Sequence, residues 1–108
     1  MKKIVIKIKK EFDLDEIQSS ILLGIYNSKE QSYDDPQEKC INHHIRPSSI
    51  MMGMDTNNRA FVHAFFKGLS ELQALNLISD QIMSGSGQCF GLTFIGYEVV
   101  KELKKEKL

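Results

Sequence analysis

The chain has little of what membrane-bound or catalytic proteins need. No apolar run approaches the length of a bilayer span. The basic start Met1-Lys-Lys leads only into Ile4-Val-Ile6, too short for the core of a signal peptide, so a cytoplasmic location is expected. Only two cysteines, Cys40 and Cys89, occur, and without export signals they are expected to be reduced rather than paired. Glycine-rich phosphate loops, zinc-protease motifs and serine nucleophile elbows are absent. Ser84-Gly-Ser-Gly87 lacks the lysine that follows in a phosphate-cradling loop. No enzymatic activity and no cofactor is expected. Nor is there a linker or an internal repeat. The 108 residues, 42% of them hydrophobic, should bury one modest core as a single domain, 1–108.

Excess charge of one sign is also missing, for the net charge is zero. Its distribution says more. Residues 1–10 carry five lysines and no acid, and residues 101–108 carry four lysines against two glutamates, which leaves −7 for the middle. Nucleic-acid affinity comes largely from Lys and Arg neutralising phosphates, so a binding surface drawn from the middle alone is poorly supplied. It would need help from the termini or from a partner chain. The terminal lysines read either as charged edges that keep strand and helix soluble, or as one basic patch if Lys3, Lys7, Lys101 and Lys105 converge.

What is present is a long helical pattern. From Arg59, the residues Phe61, Phe65, Leu69, Leu72 and Leu75 recur at three- and four-residue steps, so one face is core and a helix over 57–76 is predicted. Two short strand candidates around a Gly-Ser loop follow, a hairpin over 77–92. Thr93 can then cap a last helix, 94–106, with Ile95, Val99 and Leu103 on one side, while Gly96 lets it pass close to the strand. Opposite the apolar face of the long helix, Arg59, His63 and Lys67 recur every fourth residue, with Asn57 and Asn58 at the helix start.

The first half opens with a strand over 3–9, Ile4, Ile6 and Ile8 on one side and Lys3, Val5, Lys7 and Lys9 on the other. A helix over 14–27 follows, opened by a capping box from Asp13 to Glu16 and bearing Leu14, Ile17, Ile21 and Ile25. After a polar loop, Asp35-Pro-Gln-Glu38 opens a short helix, 36–45, which Arg46-Pro47 ends. Ser48-Ser49 caps another, 48–53. Met51, Met52 and Met54 read as core filler, with a soft interaction patch as the alternative. Cys40, His43 and His44 have zinc-ligand chemistry, but no second ligand pair is evident; His63 and Cys89 qualify only if the fold brings them near. No metal site is assigned.

Leu75-Asn-Leu-Ile78, the hairpin and Leu92-Thr-Phe-Ile-Gly96 resemble the "Leu-Gly-Leu-Ile", wing and "Leu-Thr-x-x-Gly" of the winged helix-turn-helix superfamily, in particular its MarR and PadR regulators. Met51-Met-Gly-Met-Asp55 resembles the turn between the two helices of the motif, with Gly53 free to take positive φ, Met54 in the core and Asp55 as a cap. The resemblance implies an α+β winged helix with an extra N-terminal strand, acting as a small DNA-binding transcriptional regulator and dimeric as its look-alikes often are. Asn57, Asn58, Arg59, His63, Lys67 and Gln88 would then be the residues at double-stranded DNA: Arg pairs with guanine, Asn with adenine, Lys with phosphate. A solvated polar stripe is the plain alternative. Two departures from the family stand out. Gly53 and Leu77 are farther apart than the family pattern, so the long helix is extended or Thr56-Asn57-Asn58 is an inserted loop. The wing loop from Ser84 to Gln88 has no Lys or Arg. The second functional expectation is therefore a winged helix used as a protein-interaction module, of the kind small phage and mobile-element proteins resemble, whose acidic middle meets a basic partner.

Overall fold

The computed structural model describes residues 2–6, 10–28, 44–85 and 87–106. These form an α+β fold with two small antiparallel sheets and four helices. In chain order they are β1 (Lys2–Val5), β2 (Glu11–Leu14), α1 (Glu16–Tyr26), α2 (Pro47–Ile50), α3 (Arg59–Ala74), β3 (Ile78–Met83), β4 (Gly87–Leu92) and α4 (Phe94–Glu106).

The N-terminus corrects the expectation of one strand over 3–9. Two four-residue strands pair antiparallel, with Ile4 opposite Phe12 and Lys2 opposite Leu14. Phe12 and Leu14 are buried and Glu11 and Asp13 exposed, a period of two that places Leu14 in β2 rather than at the start of a helix. The helix accordingly begins at Glu16. Its cap is Asp15, not Asp13: Gln18 N donates to Asp15 Oδ1 at 2.7 Å, and Asp15 N donates to Gln18 Oε1 at 2.9 Å. This reciprocal pair satisfies two backbone donors that the first turn of a helix leaves open.

The expected helix over 36–45 falls mostly outside the described residues, and its end is corrected. Ile45 is extended and exchanges two backbone hydrogen bonds with Phe90, at 2.9 and 2.8 Å. Pro47 does not end a helix but opens one, at the first-turn position where its missing N–H costs nothing. The helix expected over 48–53 is a single turn, Pro47–Ile50, followed by turns through Gly53, whose φ of +86° suits glycine. Asp55 is not a helix cap. Its carbonyl accepts from Asn58 N, and Asn58 is the N-cap of α3. Thr56-Asn57-Asn58 is thus connecting loop, not extra helix.

Helix α3 ends in a paired motif of backbone bonds: Leu77 N donates to Leu72 O and Asn76 N to Gln73 O, both at 3.0 Å. Asn76 takes φ +62°, the left-handed conformation that asparagine tolerates better than other side-chain-bearing residues. The chain then turns into the β3–β4 hairpin, in register from Ile78 opposite Leu92 to Met83 opposite Gly87. Thr93 closes the joint: its hydroxyl donates to Asn76 O at 2.7 Å and accepts from Gly96 N at 3.0 Å. One apolar cluster joins every element, including Ile4, Phe12, Ile21, Ile45, Ile50, Phe65, Leu92 and Val99. Helices α1 and α3 pack on each other, and α4 packs on both α1 and β1.

Candidate nucleic-acid interface

Helix α3 buries Phe65, Gly68, Leu69 and Leu72 against the core. At 3.6 residues per turn this turns Arg59, His63 and Lys67 outward, and all three are exposed. None of their side chains has a hydrogen bond, ion pair or ring contact among the described residues. Phe66, 47% exposed, stands beside Lys67 on the same side. A row of two permanent cations, an imidazole and one aromatic ring faces solvent with nothing among the described residues to neutralise it.

The remaining candidates are placed differently. Asn57 is exposed in the loop before α3. Asn58 is committed to the helix, its Oδ1 accepting from Ala60 N at 3.0 Å and Phe61 N at 3.3 Å. Gln88, on β4, gives its amide to Asp80 Oδ2 at 2.8 Å. Gln73, on α3, gives its own to Asp80 Oδ1, also at 2.8 Å. A carboxylate held by two glutamines therefore fills the angle between α3 and the hairpin. Sequence reasoning missed this cluster, because Gln73 comes near Asp80 only when the chain turns back at Asn76, and Gln88 only when the β3–β4 hairpin closes. Beyond Asp80 on the same face of β3 comes Ile82, which is 74% exposed, and Met83 is exposed next to it.

The described terminal cations are mostly engaged. Lys3 Nζ pairs with Glu11 Oε1 at 2.9 Å, and the hydrogen bond and charge of Glu11, with the charge of Asp13, raise the Lys3 ammonium above its ordinary pKa. Lys101 pairs with the nearly buried Glu98 at 3.3 Å and Lys105 with Glu102 at 3.2 Å. Lys10 lies over the ring of Phe12, Lys101 over Tyr97, and Lys104 over Tyr26, the last at 4.3 Å. Lys7 lies outside the described residues, so a shared patch with it is not described.

Of the zinc-like cluster, Cys40 and His43 lie outside the described residues. His44 Nε2 is hydrogen-bonded to Ser79 Oγ at 2.9 Å, and Cys89 is buried in β4. Among the described residues no three His, Cys, Asp or Glu side chains gather around one point that could hold a metal ion. A half-open hollow of about 340 Å³ lies beside the turn, lined by Gly24, Asn27, Ile50, Met52 and Met54 among others. No helix of the described residues is long and apolar enough to cross a membrane. Comparison with known family models, with curated proteins and with solved structures finds no match to this chain.

Proposed function

We propose that this chain is a winged-helix DNA-binding protein, a small cytoplasmic transcriptional regulator that lays the exposed face of α3 in the major groove. The observation that carries the reading is the row Arg59, His63 and Lys67, without side-chain partners among the described residues, while the described terminal lysines mostly face acids or rings. A folded protein that leaves two permanent cations and an imidazole uncompensated on one helix face offers an anion a site with little internal competition. The order α2, turn, α3, hairpin supports a helix-turn-helix with a wing, and so does the Ile45–Phe90 bridge, which ties the hairpin to the entry of α2. Asn58 acts from the backbone by starting the helix, and Gln88 acts on Asp80, so the groove contacts reduce to Asn57, Arg59, His63 and Lys67. So few contacts per copy favour a homodimer, which doubles them on a two-fold site.

The test is anisotropy of a labelled AT-rich duplex titrated across a salt series. Wild type should bind with an affinity that falls as salt rises, and Arg59→Ala, Lys67→Ala should lose at least tenfold. Unchanged affinity in the variant would remove α3 from the interface.

A protein-interaction module is the second reading, favoured by the hairpin. Its outer part presents Asp80, Ile82 and Met83 and, among its described residues, no cation. Absence of DNA binding at low salt, with a basic partner recovered by pull-down and released by salt, would select it.

A further inference from the structure

We propose that Asp80 confines the DNA footprint to α3 by keeping phosphate out of the angle between α3 and the hairpin. The inference rests on the reading of α3 as the groove helix. Both carboxylate oxygens are engaged, one by Gln73 from the helix and one by Gln88 from the far strand, each at 2.8 Å. The grip is mechanical and electrostatic at once. It braces the hairpin against the end of α3, because the two glutamines reach the same group from two elements. It also leaves the charge intact, since amides donate hydrogen bonds without bringing a counter-charge, and among the described residues no Lys, Arg or His pairs with Asp80.

Asp80 is exposed, so its field reaches into solvent where a duplex seated on α3 would carry its backbone past the hairpin. A fixed negative charge there repels phosphate across a Debye length, about 8 Å at physiological salt. The next residue on that face is Ile82, which offers nothing to a phosphate. A hairpin built this way serves as a spacer that stands off the duplex, and the anion-binding work falls to Arg59 and Lys67.

Two substitutions separate brace from charge. Asp80→Asn removes the charge and keeps the brace, because an asparagine amide can accept from one glutamine and, once the other turns over, donate to it. Asp80→Ala removes both. In the salt series, Asp80→Asn should bind the duplex roughly three- to tenfold tighter than wild type near 50 mM salt, with the gain fading toward 300 mM and the salt slope steepening by up to about one. Hydrogen exchange of the β3 and β4 amides, read without DNA, should be unchanged in Asp80→Asn and at least several-fold faster in Asp80→Ala. Equal duplex affinity of Asp80→Asn and a wild type that does bind would overturn the exclusion while leaving the α3 reading in place. Unaltered exchange in Asp80→Ala would overturn the brace. If neither wild type nor Asp80→Asn binds at low salt, the α3 reading falls and the exclusion with it; binding by Asp80→Asn alone would uphold the exclusion.

Discussion

Gly96, in the first turn of α4, makes the closest approach to another backbone segment of any described glycine. A Cβ built there would run into the Leu77 carbonyl oxygen and lie 2.9 Å from its carbon, and a backbone carbonyl fixed by Thr93 N at 3.1 Å has no room to swing aside. Alanine would gain about 1 kcal/mol of helix propensity in α4. The collision should cost more, leaving Gly96→Ala destabilised by about 1–3 kcal/mol. Urea unfolding checks this; a midpoint equal to or above that of wild type would show that the helix can shift off the strand freely. Lys3 works at the same scale with the opposite weight. Its raised pKa means that, while Glu11 is ionised, the pair contributes fully below the ordinary lysine value of 10.5 and is lost as pH climbs through the raised value, so the pH dependence of stability near neutrality does not report it. Being fully exposed, it shapes the edge of β1 more than the stability of the fold.

Helix α1 meets α3 where Ile21 lies over Gly68, and the two elements are coupled through that contact. The Ile21 Cδ1 atom stands 2.8 Å from where a Gly68 Cβ would be, but it is the free end of a side chain. Gly68→Ala alone should therefore be close to neutral, its helix-propensity gain of about 1 kcal/mol spent on displacing that methyl. Ile21→Val, which deletes the methyl, should cost about 0.5–1.5 kcal/mol. In the double variant the alanine finds space, so the two effects should depart from additivity by at least about 0.5 kcal/mol in the stabilising direction. Additivity within about 0.3 kcal/mol would mean that α1 and α3 adjust independently. The apolar spacing that seats α3 here, Phe65, Leu69 and Leu72, was legible in sequence because a helix writes its period locally. The N-terminal hairpin was not: its strands are four residues each, and Asp13 with Glu16 imitates the capping box that Asp15 and Gln18 actually make. The Ile45–Phe90 bridge was invisible for another reason, since it joins single residues 45 positions apart with no strand pattern around Ile45. At the candidate interface, the four-residue spacing of Arg59, His63 and Lys67 fixed their shared face. The fates of Asn58 and Gln88 depended on which acceptors and donors the fold delivers, which no local pattern records.

Across the whole molecule, the sequence segregates positive charge at its two ends, yet the fold sets most of the described terminal lysines against acids or rings on the surface. β1 and α4 pack together, and on or beside them Lys3, Lys101 and Lys105 face acids and Lys10 and Lys104 lie over rings. Among the described residues, a basic segment in sequence is thereby not a row of uncontacted cations like Arg59 and Lys67. Counterion release counts the phosphates a protein neutralises, so a protomer binding through Arg59 and Lys67 should show a salt slope on the order of −2, whatever the lysine content of its termini. Replacing exposed terminal lysines gives the contrast. Lys104→Gln, Lys105→Gln removes two formal charges, as many as Arg59→Ala, Lys67→Ala, and leaves Lys101 over Glu98. At about 0.15 M salt, where charges beyond about 8 Å are largely screened, it should hold duplex affinity within about twofold of wild type and keep the same slope. The α3 variant, losing the same number of charges, should lose at least tenfold. The comparison holds net charge fixed and moves only its location, so it separates a shaped interface from general polycation attraction. A tenfold loss in the terminal variant, with binding retained in the α3 variant, would place the nucleic-acid surface on α4 and return α3 to an ordinary solvated helix face.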